Sequence, residues 1–172
     1  MTSLVRPRQL APPRGFAFAW FKIGNENISV YSVHLKSNLI THGDREAQTA
    51  KNIRKREVAI GQLLTHIRDA IGMTMPTIKG IVVGGDFNTN HDQAMFAAER
   101  TLDSLADAGY QNGFEGLPLS ERVTHPGSHG FPDATLDFIF AKNLTAVAAH
   151  RYTDECVGSL AGDAQFRSAL TL

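Results

Sequence analysis

The chain is 172 residues long and 42% hydrophobic, and its 17 basic and 17 acidic residues leave a formal charge of zero. These values suit one globular domain or part of one, and no apolar run is long enough for a bilayer-spanning helix. They predict no general attraction to nucleic acid or to an anionic membrane, and the single cysteine, Cys156, excludes an internal disulfide.

Residues 1–14 are rich in proline and arginine, have no continuous apolar core and read as an extended lead-in rather than a signal peptide. Residues 15–23 and 28–35 then form two strands joined by the turn-like Gly24-Asn25-Glu26-Asn27, an antiparallel hairpin. The second strand alternates: Val33 and Leu35 share one face, while Ser32, His34 and Lys36 share the other. His34 can donate, accept or carry a proton near neutral pH, and Lys36 is a point charge suited to phosphate. Taken alone, such a strand reads first as a solvated polar surface.

Residues 46–71 have helical spacing. Ile53, Ile60, Leu63, Leu64, Ile67 and Ile71 define an apolar face, and Arg54, Lys55, Arg56 and Glu57 are expected on a solvated one. Met75-Pro76 closes this segment. The β-branched run Ile81-Val82-Val83 predicts a short buried strand, with Gly84-Gly85 at its exit, where the backbone bends or is closely approached. In an extended chain, Asp86 and Asn88 would face one side together while Phe87 anchors in apolar packing. That pair can hold a metal-bound or hydrogen-bonded water beside a phosphate; the plainer alternative is an Asx turn.

A second helix is expected over residues 92–108, with Asp92 as N-cap and Gly109 as the stop. Residues 110–134 form a Gly/Pro-rich loop, and Pro126-Gly127 between His125 and His129 excludes a helical metal-ligand pair. In Leu136-Asp137-Phe138-Ile139-Phe140, the apolar residues Leu136, Phe138 and Phe140 share a face and Asp137 opposes them. A carboxylate within such a strand orients a histidine, binds a cation or faces water at an edge. Residues 145–149 read as a last strand and 151–172 as an atypical tail.

Val33-His34-Leu35-Lys36-Ser37, Gly85-Asp86-Phe87-Asn88-Thr89 and Leu136-Asp137-Phe138-Ile139-Phe140 together resemble, in order and separation, the endonuclease/exonuclease/phosphatase superfamily of metal-dependent phosphodiesterases. The resemblance runs through residues 15–150. It implies an α+β fold, part of a four-layer α/β/β/α sandwich with mixed or antiparallel sheets. It also implies hydrolysis of a phosphate ester with Mg²⁺ or Mn²⁺. By that resemblance Asp86 activates the attacking water and is the expected metal contact. Asn88 binds the water or a phosphoryl oxygen, His34 donates to phosphate or moves a proton, Lys36 adds positive charge, and Asp137 orients a late histidine.

Two elements of the family pattern have no counterpart in this sequence: the early strands bearing an Asn and a metal-binding Glu, and the closing Ser-Asp-His. Glu26, in the hairpin turn, is a poor substitute for that Glu. The expectation is therefore an N-terminally incomplete domain with reduced or no activity alone. The rival readings are a non-enzymatic truncated product and a binding module that retains the fold. A sheet left exposed would favour self-association. The substrate (nucleic acid, phospholipid or inositol phosphate) is not legible in these motifs.

Overall fold

The computed structural model describes residues 15–74, 77–128 and 130–144. Met75-Pro76, His129, the last strand expected at 145–149 and both terminal segments lie outside the described residues.

Strands β1 (Phe16–Ile23) and β2 (Glu26–His34) form the antiparallel hairpin, with Ile23 paired to Glu26. The loop is therefore only Gly24-Asn25, shorter than the four-residue turn expected, and Glu26 is a strand residue. Gly24 sits at φ +61°, a conformation glycine adopts without steric cost. Helix α1 (Arg45–Thr74) follows. Asp44 caps it: its carboxylate accepts the Ala47 N–H at 2.7 Å and its carbonyl the Gln48 N–H at 3.0 Å. This long helix is the crossover that lets β3 (Ile78–Asp86) lie parallel to β2.

The second expected helix is broken. Ala94–Phe96 is a single 3₁₀ turn and only α2 (Thr101–Asp107) is α-helical. Asp92 caps neither; it pairs with Arg122. The buried Asn90 accepts the backbone N–H groups of Asp92 and Gln93 at 3.0 and 2.9 Å and turns the chain locally. The expected loop 110–134 is partly structured, with β4 (Gln111–Asn112), the short α3 (Leu119–Arg122) and a backbone bridge between His125 and Ala134. Strand β5 (Asp137–Lys142) completes a mixed five-stranded sheet in the order β1-β2-β3-β5-β4.

One sheet face is covered by helices. Tyr31 and Val33 of β2, Ile81 and Val83 of β3, and Phe138 and Phe140 of β5 pack with Ile60, Leu63 and Ile67 of α1 and Leu102 and Leu105 of α2. Alternation turns the next residues outward, where Ala17, Ala19, Phe21, Ser32, His34, Asp137 and Ile139 are exposed. The site residues lie on this outer face.

The expectation of a solvated face on α1 fails at Arg56, which is completely buried. Its guanidinium pairs in bidentate fashion with the buried Glu99, at 2.7 and 2.5 Å. It also donates to the Lys36 carbonyl and to the Asn38 side-chain oxygen, both at 2.8 Å. Thr101 donates a further hydrogen bond to Glu99.

A second, more open clamp joins Arg122 to Asp92 through two 2.7 Å hydrogen bonds. The Arg122 hydrogen bond holds the Asp92 carboxyl below its ordinary value of 3.8, against a smaller upward effect of burial. Because the folded value is depressed, the clamp's contribution is complete above that ordinary value and disappears as pH falls through the lower folded one. Asp92→Asn should cost about 1 kcal/mol at neutral pH. The gap from the parent chain in urea melts should close on acidification; a gap independent of pH would show that the clamp contributes no charge-dependent stability.

Candidate active site

The parallel pair β2–β3 ends with His34 opposite Asp86, and the antiparallel pair β3–β5 sets Asp137 opposite the same Asp86. Three chemically active residues therefore stand in one row across adjacent strands on the outer face. His34 Nε2 lies 3.6 Å from Asp86 Oδ2, an ion pair whenever the imidazole is protonated. Burial pushes the Asp86 carboxyl above its ordinary value. The Asn88 N–H opposes that shift, the Asp137 charge adds to it and His34 opposes it again.

Sheet bonding continues past the strand ends, from Leu35 N–H to the Asp86 carbonyl and from Phe87 N–H to the Leu136 carbonyl, both at 2.8 Å. Phe87 is fully buried, with ring centroids 5.8 Å from Phe138 and 5.5 Å from Phe140. It anchors the segment, as its alternation with Asp86 predicts.

Asn88 is reached differently from the extended-chain expectation. The strand stops at Asp86, and Asn88 takes a left-handed backbone with φ +53°. Its N–H donates to Asp86 Oδ1 at 2.8 Å, which is an Asx turn, and its carboxamide donates to the Leu35 carbonyl at 3.2 Å. The turn and the site are thus one structure: the bond that bends the chain also holds Asn88 against the carboxylate. Asn38 donates to the Asn88 carbonyl at 2.7 Å and is itself held by Arg56. The order Glu99–Arg56–Asn38–Asn88–Asp86 therefore links the buried ion pair to the site.

Lys36 lies beyond the end of β2 and is half-buried, its carbonyl bound by Arg56. Asp137 is exposed, and its N–H donates to the Thr124 hydroxyl at 3.0 Å. His125 takes part in the backbone bridge to Ala134. Sequence reasoning missed Asn38, Glu99 and Thr124 as supports. Only Arg56 carried a signal, since it falls three residues after Ile53 and four before Ile60, on the apolar stripe.

A sequence model of the endonuclease/exonuclease/phosphatase family matches residues 17–159. The chain belongs to this family. Among solved structures, this family member is similar to beta toxin 275–280 from Staphylococcus aureus, with TM-score 0.50, 16% identity, and 75% of this chain and 43% of that one covered. Humanized D. rerio TDP2 matches at TM-score 0.47 and 18% identity, over 78% of this chain and 46% of that one. Sphingomyelinase C from Streptomyces griseocarneus matches at TM-score 0.42 and 21% identity, over 76% and 42%. The chain spans less than half the length of each of these three structures. Comparison with curated proteins gives no sequence match.

The five-stranded mixed sheet with helices on one face agrees with the expected α+β class and with the family's sandwich fold. As a metal centre the site is sparse. Among the described residues, no three His, Cys, Asp or Glu side chains converge on one point. Mg²⁺ is satisfied by one or two carboxylates, with water and substrate phosphate filling the rest. Asp86, beside Asp137, offers that oxygen chemistry, so the donor set fits Mg²⁺ as a partial shell rather than a cage.

Proposed function

We propose that this family member acts on a phosphodiester through the His34–Asp86–Asn88 cluster, with Asp86 as the contact for a divalent ion. The supporting observation is the row His34, Asp86 and Asp137 at adjacent strand ends, with Asn88 bonded to the same carboxylate. Asp86 orients the attacking water through Oδ2 and accepts its proton. As the water oxygen bonds to phosphorus, the opposite ester P–O bond breaks and the departing alcohol takes its proton from solvent. The imidazole of His34 holds a proton at Nε2 for a phosphoryl oxygen, and the Asn88 carboxamide donates to another as negative charge builds. Lys36 adds positive charge near the phosphate. Asp137, on the neighbouring strand end, adds a smaller upward push to the Asp86 carboxyl beside the larger effect of burial. When bound, Mg²⁺ supplies Lewis-acid stabilisation of the same charge.

Because the ligands among the described residues form only a partial shell, slow turnover is expected. With bis-p-nitrophenyl phosphate, we expect a low rate that needs Mg²⁺, disappears in EDTA and falls by about 100-fold or more in Asp86→Ala. A rate indifferent to both Mg²⁺ and that substitution would overturn the proposal. It would favour the second reading, a module that retains the fold without the chemistry, for which the sparse ligand set among the described residues is the supporting observation.

A further inference from the structure

Beside the strand-end cluster lies a cavity of about 750 Å³, within the range of small-molecule sites. Asn88 belongs to both, and Leu136, the residue before Asp137, is part of the cavity wall. By area its wall is more apolar than polar and includes the buried Phe96. Three large side chains at this cavity are left in solvent: Leu39 is 70% exposed, Phe131 63% and Met95 46%. Exposing them costs hydrophobic free energy, and their gathering at one cavity is the signature of a surface that an apolar group covers.

Half of the lining residues are polar, and three of them bear on where a phosphate joined to that apolar group would sit. Asn88 is shared with the site, His42 stands on the segment leading into α1, and Arg45 is the first residue of that helix. Arg45 is the only lysine or arginine among the described residues lining the cavity. A nucleic-acid strand needs a succession of cations along its backbone. One arginine and a neutral chain do not provide it, whereas a single phosphodiester carrying a hydrocarbon chain needs no more.

We infer that this cavity takes the hydrocarbon part of a lipid phosphodiester, placing its phosphate at Asn88. The inference rests on the phosphodiester reading above and narrows its substrate class. The hydrocarbon displaces water from Leu39, Met95 and Phe131, while Arg45 neutralises the phosphate as it approaches Asn88.

Titration calorimetry in EDTA, where no metal-dependent turnover occurs, tests it. The ligands are dihexanoyl phosphatidylcholine below its micelle concentration and thymidylyl-thymidine, both phosphodiesters. The lipid should bind about tenfold tighter than the dinucleotide, because only it buries the apolar rim. The double variant Leu39→Ser/Phe131→Ser should lose about tenfold or more in lipid affinity. Both positions are exposed, so the fold should be kept, as far-UV circular dichroism will check. Equal or tighter dinucleotide binding, or lipid binding untouched by the double variant, would overturn the inference. The phosphodiester reading fails separately: lipid binding without Mg²⁺-dependent turnover of bis-p-nitrophenyl phosphate counts against hydrolysis and supports the cavity's assignment. Turnover without lipid binding overturns the assignment alone.

Discussion

Arg56→Ala is expected to destabilise the chain by about 3–5 kcal/mol, the usual cost of leaving one partner of a buried ion pair uncompensated. Glu99 would keep only the Thr101 hydroxyl among its hydrogen-bond partners described above, while its carboxylate remained out of water. The Lys36 carbonyl and the Asn38 side chain would lose their donor as well, so the segment bearing Lys36 and Asn38 should loosen along with the global fold. Urea melts give the first effect and amide exchange at residues 36–38 the second. The double variant Arg56→Met/Glu99→Met separates them. It removes the stranded charge, so most of the stability should return, but it restores no donor, so exchange at 36–38 should stay fast. If Arg56→Ala melts within about 1 kcal/mol of the parent chain, water reaches the pair and the burial described here does not hold in solution.

Gly85→Ala should be the most damaging small substitution at the site, at about 2–6 kcal/mol from combined backbone strain and overpacking. Gly85 has φ +134°, which side chains rarely tolerate, and a Cβ there would overlap the Val33 carbonyl oxygen. Relief requires β2 and β3 to separate where His34 faces Asp86, so any Mg²⁺-dependent turnover should fall together with stability. Gly84→Ala is the internal control: its nearest neighbours would be 3.5 Å away, ordinary contact distance. A melt of Gly85→Ala equal to that of Gly84→Ala would show that the close approach of the two backbones is not needed.

How far the site could be read from sequence depended on which interactions were local. The glycine pair after Ile81-Val82-Val83 announced a close approach, and Gly85 is where it occurs. Alternation placed Phe87 in the core opposite Asp86, and set Phe138 and Phe140 against Asp137. Extending that alternation through Asn88 went wrong because Asp86 offers a hydrogen bond to the backbone two residues on, and that bond turns the chain out of the strand. The second helix is broken as well: Asn90 takes up the N–H groups of Asp92 and Gln93, a single 3₁₀ turn follows, and regular helix resumes only at Thr101. At Arg56, period outweighs charge. Its spacing from Ile53 and Ile60 put it on the buried stripe, and only Glu99, 43 residues away, makes a charge there tolerable.

Local pattern therefore determined β1, β2, β3, β5 and the long helix, because alternation, helical period and glycine placement are properties of neighbouring residues, while the three short motifs carrying His34, Lys36, Asp86, Asn88 and Asp137 gave the resemblance to the family. Tertiary structure decided the rest. Which strands lie side by side sets His34, Asp86 and Asp137 in one row, and strand order depends on pairings between residues some fifty positions apart. The support of Asn88 by Asn38 and Arg56, and the cavity gathered from the segments around Leu39, Met95 and Phe131, arise in the same way. A hydrogen bond or a burial between distant segments leaves no periodic trace in either one, so it becomes visible only once the chain has folded them together.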